Sequence, residues 1–230
     1  MLKPMFSTVA DTYDLANKVL TLGLDKHWRR ACVHESASGR LVVDLCCGTG
    51  DLSFNLLDNL DSDSFLVGLD FSKEMLSKAV AKNRKKRKNG DNFAFVIADA
   101  AHLPLRTGYV DDMRISFSFR NLIFRNPQAL TYLKEANSAL KPNAHFTCVE
   151  TSQPRNRLIR KFFRFYCLRI IPFVGGYVSG QKPAYRYLGK SAADFPFPKE
   201  ILAMMRKAGF AEAKFKPLTL GVVGLYMAIK

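Results

Sequence analysis

The sequence holds no run approaching the roughly 20 apolar residues of a membrane-spanning helix, which excludes such a span. Its opening residues, Met1-Leu2-Lys3-Pro4-Met5-Phe6, lack the apolar segment of a secretory signal. A cytoplasmic chain is expected, with peripheral membrane attachment or an organellar address in a eukaryotic source left open. No CxxC pair occurs among Cys32, Cys46, Cys47, Cys148 and Cys167. The four histidines, His27, His34, His102 and His145, are scattered, so no metal is expected. An odd cysteine count in an unsecreted chain predicts reduced thiols, and the adjacent Cys46-Cys47 reads as small packing residues. Internal repeats and low-complexity linkers are also missing, and the 230 residues are read as one domain. Acidic residues are few, 20 against 35 basic, giving a net charge of +15. That excess points to nucleic acid, an anionic membrane or an acidic substrate.

What is there begins with Asp44-Leu45-Cys46-Cys47-Gly48-Thr49-Gly50-Asp51-Leu52, after the apolar Leu41-Val42-Val43. Strand, glycine turn and helix start in that order bring backbone N–H groups close to a ligand. Gly48 and Gly50 let the chain turn sharply. Ser53 stands where a dinucleotide fingerprint has its third glycine, which turns the expectation from a pyrophosphate to another nucleoside.

Strands are predicted at Leu41–Leu45, Ser64–Asp70, Phe93–Ala98, Asp112–Phe117 and His145–Glu150. Helices are predicted at Asp51–Asn59, from Ser72 to about Lys88, at Pro127–Leu140 and at Pro198–Ala208, with Gly209 as C-cap. Phe210–Phe215 and Gly221–Ile229 read as closing strands. The alternation implies an α/β fold, a mainly parallel sheet with helices on both faces. Residues 1–36 read as an N-terminal helical cap with Tyr13, Leu15, Val19, Leu20, Leu22 and Leu24 as its apolar positions. Residues 37–153 form the core, 154–198 an inserted helical and aromatic segment, and 199–230 the closing helix and strands.

In such sheets ligands lie beyond the carboxyl ends of the strands. Asp70 ends strand two, placed to accept both ribose hydroxyls. Asp99-Ala100 ends strand three, where a carboxylate can accept an adenine amino group. Two basic clusters stand out. Lys82, Arg84, Lys85, Lys86, Arg87 and Lys88 read as a solvated helix end. Arg155, Arg157, Arg160, Lys161, Arg164 and Arg169 alternate with Phe162, Phe163, Phe165, Tyr166 and Leu168.

Asp44–Leu52, Gly68-Leu69-Asp70 and Ala98-Asp99-Ala100 resemble the core motifs of class I S-adenosylmethionine methyltransferases. Other stretches resemble one family, the UbiE/COQ5 demethylmenaquinone/2-polyprenylbenzoquinol C-methyltransferases of quinone biosynthesis. They are Phe6-Ser7…Ala10…Tyr13-Asp14, Gly23-Leu24…Trp28-Arg29-Arg30, Leu103-Pro104-Leu105, Ser116-Phe117-Ser118-Phe119-Arg120-Asn121, Leu140-Lys141-Pro142, Tyr185-Arg186-Tyr187-Leu188…Ser191 and Met204-Met205…Ala208-Gly209-Phe210.

The resemblance implies a Rossmann-like, seven-stranded sheet with one antiparallel strand near its edge. S-adenosyl-L-methionine is implied as cofactor and a prenylated quinol as substrate. Thr49, Asp70, Asp99, Ala100 and Ser116 would contact the cofactor beside Gly48 and Gly50, with Asp44 in an acidic lining suited to a sulfonium and Tyr13 on a covering helix. Arg120 would stabilise a developing phenolate and Asn121 would orient it or a water. The same pair also reads as a structural ion pair. Tyr185 and Tyr187 either line the substrate cavity or pack in the core. The segment 155–173 is expected to meet an anionic membrane surface with its arginines while Phe162, Phe163 and Phe165 enter the interface, or to act as a lid. A homodimer stays open.

Asn143-Ala144, Val110, Arg114 and Ser118 depart from the family pattern, and Ser118 places the exact substrate in question. Rival expectations are a methyltransferase of another small molecule, a binding protein without turnover, and an RNA methyltransferase suggested by the charge. The last lacks a recognisable RNA-binding module.

Overall fold

A computed structural model describes residues 12–35, 39–86 and 92–230. The motif residues Phe6, Ser7 and Ala10 and the basic Arg87 and Lys88 lie outside the described residues.

Seven strands form one sheet in the order β3-β2-β1-β4-β5-β7-β6. They are β1 Leu41–Leu45, β2 Phe65–Asp70, β3 Phe93–Ile97, β4 Val110–Ser116, β5 Leu140–Thr151, β6 Glu212–Leu218 and β7 Val223–Ile229. β1 to β5 pair in parallel, and β7 runs antiparallel between β5 and β6. This is the Rossmann-like arrangement expected, with its reversed strand one place in from the edge.

Parallel strands covered on both faces should be apolar throughout, and Leu41-Val42-Val43 and Phe65-Leu66-Val67 are such runs. The helices that cover them are α1 Tyr13–Leu20, α2 Leu24–His34, α3 Asp51–Leu57, α4 Lys73–Lys86, α5 Phe119–Ile123, α6 Ala129–Ala139, α7 Arg157–Phe165, α8 Gly176–Ser179, α9 Lys182–Ala193 and α10 Pro198–Lys207. Leu133, Ile201, Met205 and Phe210 pack with Phe146 on one face of the sheet. Trp28, Cys32, Leu52 and Phe54 pack on the other.

Arg114, an unusual charge in a central strand, is explained by its neighbours. Asp112, two residues earlier on the same face, accepts from its Nε and Nη2 at 2.9 and 2.6 Å. Its Nη1 donates to the Cys32 and Val33 carbonyls at 2.7 and 2.6 Å. Those carbonyls end α2, where cations are favoured. The guanidinium thus fastens α2 to the sheet.

Several boundaries differ from expectation. β4 begins two residues earlier, at Val110, and β5 runs twelve residues from Leu140. α5 was not anticipated as a helix of its own. Among the described residues, the N-terminal cap forms two helices broken at Thr21–Gly23, where Gly23 takes a φ of +76°. The buried positions of α1 are Ala16 and Leu20, four apart, whereas Leu15, Val19, Leu22 and Leu24 are exposed. Of the apolar positions read there, Leu20 is buried and Tyr13 packs beside it; Ala16, which completes the i, i+4 pair that meets the insertion, was not among them.

The insertion folds as α7, a π-helical stretch Tyr166–Gly175, α8 and α9. Cys167, Ile171, Tyr185, Ala192 and Ala193 pack against Ala16 and Leu20 of α1. Within the insertion, α9 lies close enough to the π-helical stretch to demand glycine: a Cβ at Gly189 would lie 2.0 Å from the Cys167 carbonyl oxygen.

Candidate active site

Two cavities open at the carboxyl ends of the strands. The first, about 600 Å³, is bounded by Tyr13, Cys46, Gly48, Asp70, Phe71, Met75, Asp99, Ala100, Ser118 and Asn121. The second, about 520 Å³, is mostly apolar and is bounded by Leu20, Trp28, Phe117, Arg120, Asn121, Ile171, Tyr185, Tyr187 and Leu188 among others. Tyr13 and Asn121 line both. Both volumes fall within the range of small-molecule sites.

Local chemistry shapes the first cavity. Gly50, at a φ of +81°, caps α3 and has Phe54 and Ala79 within 3.2 Å of where a Cβ would sit. Glycine alone meets both demands cheaply. The Asp70 carboxylate accepts the Gly48 N–H on Oδ2 and the Ser72 N–H on Oδ1, each at 2.8 Å. Each oxygen keeps a lone pair for a further donor. Burial pushes the Asp70 carboxyl above its ordinary value, and the same backbone donors oppose the rise. Asp99 accepts the Ala101 N–H at 2.9 Å, which fixes its side chain at the cavity wall.

Of the residues singled out for a nucleoside cofactor, Tyr13, Gly48, Asp70, Asp99 and Ala100 line this cavity. Asp44, Thr49, Gly50 and Ser116 do not. Asp44 is buried behind the turn, its Oδ2 accepting the Ser53 hydroxyl at 2.5 Å. Its Oδ1 has no hydrogen-bond partner among the described residues. Burial pushes this carboxyl up to about 7. The Thr49 side chain turns outward to Asp14 and Lys82. Ser116 ends β4 short of the cavity; Ser118, two residues on, lines it and donates to the Cys46 carbonyl at 3.3 Å. Phe71, Met75 and Tyr132 also line it and were missed. The position of Phe71 directly after Asp70 was the available signal.

In the second cavity Arg120 is held through its backbone N–H, Nε and Nη1. Its backbone N–H donates to Glu150 Oε2 at 2.9 Å and its Nη1 to Glu150 Oε1 at 2.8 Å. Thr151 and Ser191 hydroxyls accept from Nη1 and Nε, each at 3.0 Å. Both partners of the ion pair are buried, Glu150 completely. The structural reading of Arg120 is therefore realised, and the residue lines the cavity as well. Burial raises the Tyr13 and Tyr187 phenols and pushes Tyr185 up to about 12, so all three stay neutral near pH 7. Arg29, within the sequence motif but not among the expected site residues, also lines this cavity, paired with Asp25 and stacked over Phe117 at 5.4 Å. Among the described residues no cluster of His, Cys, Asp or Glu is suited to a metal.

Comparison with known proteins places this geometry in context. The ubiE/COQ5 methyltransferase family matches the chain over residues 1–230. The demethylmenaquinone methyltransferase of Thermus thermophilus is 38% identical over 226 residues, covering 97% of this chain and 98% of that protein. That of Lactococcus lactis is 32% identical over 228 residues, covering 98% and 88%. The ubiquinone/menaquinone biosynthesis C-methyltransferase UbiE of Geobacter sulfurreducens is 33% identical over 232 residues, covering 100% and 88%. Among solved structures, a SAM-dependent methyltransferase from Aquifex aeolicus superposes with a TM-score of 0.58 at 16% identity, covering 84% of this chain and 82% of that one. That last likeness concerns the fold.

Proposed function

The chain belongs to the ubiE/COQ5 methyltransferase family, and from that premise we propose that it transfers a methyl group from S-adenosylmethionine to a ring carbon of a prenylated quinol. The observation that carries this reading is the pair of cavities meeting at Tyr13 and Asn121, one polar and acid-lined, the other apolar. Asp70 holds the ribose hydroxyls and Asp99 the adenine amino group, with Phe71 offering a ring face beside them. The cofactor supplies a methyl already activated on a sulfonium. The carboxylates of Asp70 and Asp99 on the cavity wall fit a cationic ligand.

The protein's contribution is then alignment and exclusion of water. The apolar wall of Leu20, Ile171 and Leu188 keeps the quinol dry. Its ring carbon becomes nucleophilic as a neighbouring hydroxyl loses its proton to a water oriented by Asn121. Arg120 places positive charge beside the developing phenolate, held there by Glu150. Tyr185 and Tyr187 flank the ring. The tail leaves through the mouth formed by Leu22, Leu24 and Ile170, all partly or largely exposed. A deletion strain is expected to accumulate the demethylated quinone and to lose it again when this chain is expressed. An unchanged quinone profile in both strains would refute the assignment.

The same mouth supports binding at an anionic membrane. α7 buries none of its residues, and Phe162 and Phe165 stand exposed with Phe173 and Tyr177 beyond them. Phe163, grouped with them in the sequence, instead packs inward on the cap. Arg160 and Arg164 are engaged by the Pro154 carbonyl and Asp194, which leaves Arg155, Arg157, Lys161 and Arg169 for head groups. Each basic residue near such a surface is worth about 1 kcal/mol. The chain is expected to co-sediment with anionic vesicles, less so at high salt, and Phe162→Ser with Phe173→Ser should release it. Equal sedimentation with neutral and anionic vesicles would argue against this surface.

A further inference from the structure

α1 carries Tyr13 across both cavities. Its C-terminal end packs on the insertion, where the Tyr166 hydroxyl donates to the Leu20 carbonyl. Among the described residues, a charged cluster holds its N-terminal end. Lys82 Nζ on α4 lies 2.6 Å from Asp14 Oδ2, 2.8 Å from Asp51 Oδ1 and 2.9 Å from Thr49 Oγ1. The Thr49 hydroxyl donates to Asp14 Oδ1 at 2.7 Å. Thr49 sits between Gly48, whose N–H fixes Asp70, and Gly50, which starts α3. One ammonium therefore joins the cap helix, the glycine turn and α3.

We propose that Lys82 is a positioning residue for the cofactor: with Asp14 and Thr49 it latches α1 over the cofactor cavity, and its release opens that cavity. The proposal rests on the cofactor reading above and adds the control of entry and exit. The latch is built to yield. Asp14 is 42% exposed on its side chain and Lys82 24%, so water and salt compete for the pair. Asp14 also lies in the first turn of α1, where the helix dipole favours a carboxylate even without Lys82. Breaking the latch thus detaches the helix end without unwinding it. Thr49 explains why a turn residue next to a cofactor cavity points away from it.

The test uses the full chain with Lys82→Met, Asp14→Asn and the double variant, and Lys82→Arg as the conservative control. Hydrogen exchange of the α1 amides reports the latch directly and needs no ligand. Stopped-flow release of S-adenosylhomocysteine reports its consequence. Both rates are expected to rise about two- to fivefold in each single variant, the span expected of a part-exposed ion pair. The double variant should match the singles, Lys82→Arg should restore both rates, and added salt should accelerate the wild type but not Lys82→Met. The KM for the cofactor should rise by the same factor while the thermal midpoint holds. α1 exchange unchanged in the singles, or effects that multiply in the double, would overturn the latch. Faster α1 exchange in a chain that binds no S-adenosylhomocysteine would sustain the latch and sink the cofactor reading.

Discussion

Arg120→Ala is expected to lower methyl transfer by orders of magnitude and to destabilise the fold at the same time. The two effects have separate causes. Glu150 is fully buried, and its two oxygens are held by the Arg120 side chain and backbone and by the Thr151 N–H. Removing the guanidinium leaves a buried carboxylate without its counter-charge, at a cost of about 3–5 kcal/mol. Lost activity in the single variant is therefore ambiguous by itself. Arg120→Ala with Glu150→Gln removes the stranded charge and should recover most of the stability. Activity should stay lost, because no cation faces the phenolate, while cofactor affinity stays near wild type. Recovery of turnover in the double variant would show that Arg120 serves the fold alone. Chemical denaturation and cofactor titration on the same preparations separate the outcomes.

Asp70→Ala should weaken S-adenosylmethionine by about 100-fold or more. Hydrogen bonds to a charged acceptor contribute about 1.5–3 kcal/mol each, and two ribose hydroxyls make two of them. The same substitution frees the Gly48 and Ser72 N–H groups, so the glycine turn and the start of α4 lose their common anchor. Asp70→Asn keeps one acceptor oxygen and should fall between alanine and wild type. Asp99→Ala should cost less, because it removes one contact at the far end of the nucleoside and leaves the turn intact. Calorimetric titration gives all three values, and equal affinity in Asp70→Ala and wild type would remove this carboxylate from the site.

The sheet was legible because its signals are local. Leu41–Leu45 followed by a glycine turn announces a strand and a helix start within about ten residues, and Asp70 and Asp99 advertise themselves by standing at strand ends. The site was less legible where a side chain answers to distant partners. Thr49 lies within the motif, but Asp14 and Lys82, more than thirty residues away on either side, turn it outward. Arg120 meets Glu150 and Ser191 from β5 and α9. Nothing in the neighbourhood of Arg120 in the sequence reveals that it completes a buried pair as well as a cavity wall. Phe163 and Phe162 are adjacent, yet one turns to the cap and the other to solvent, because only the helix phase relative to Ala16 and Leu20 separates them. Leu15, Val19, Leu22 and Leu24 read as the apolar positions of a helical cap, and all four are exposed. Here the mouth of a cavity, not a core, uses several of them.

The purified chain, a methyl-labelled cofactor and a reduced demethylated prenyl quinol in anionic vesicles are the components of the decisive experiment. Mass spectrometry with fragmentation should place the label on a ring carbon of the quinol, with S-adenosylhomocysteine formed in equal amount. Label on a quinol oxygen, on RNA added as competitor, or on nothing would contradict the claim that the two cavities meeting at Tyr13 and Asn121 deliver a methyl group to carbon.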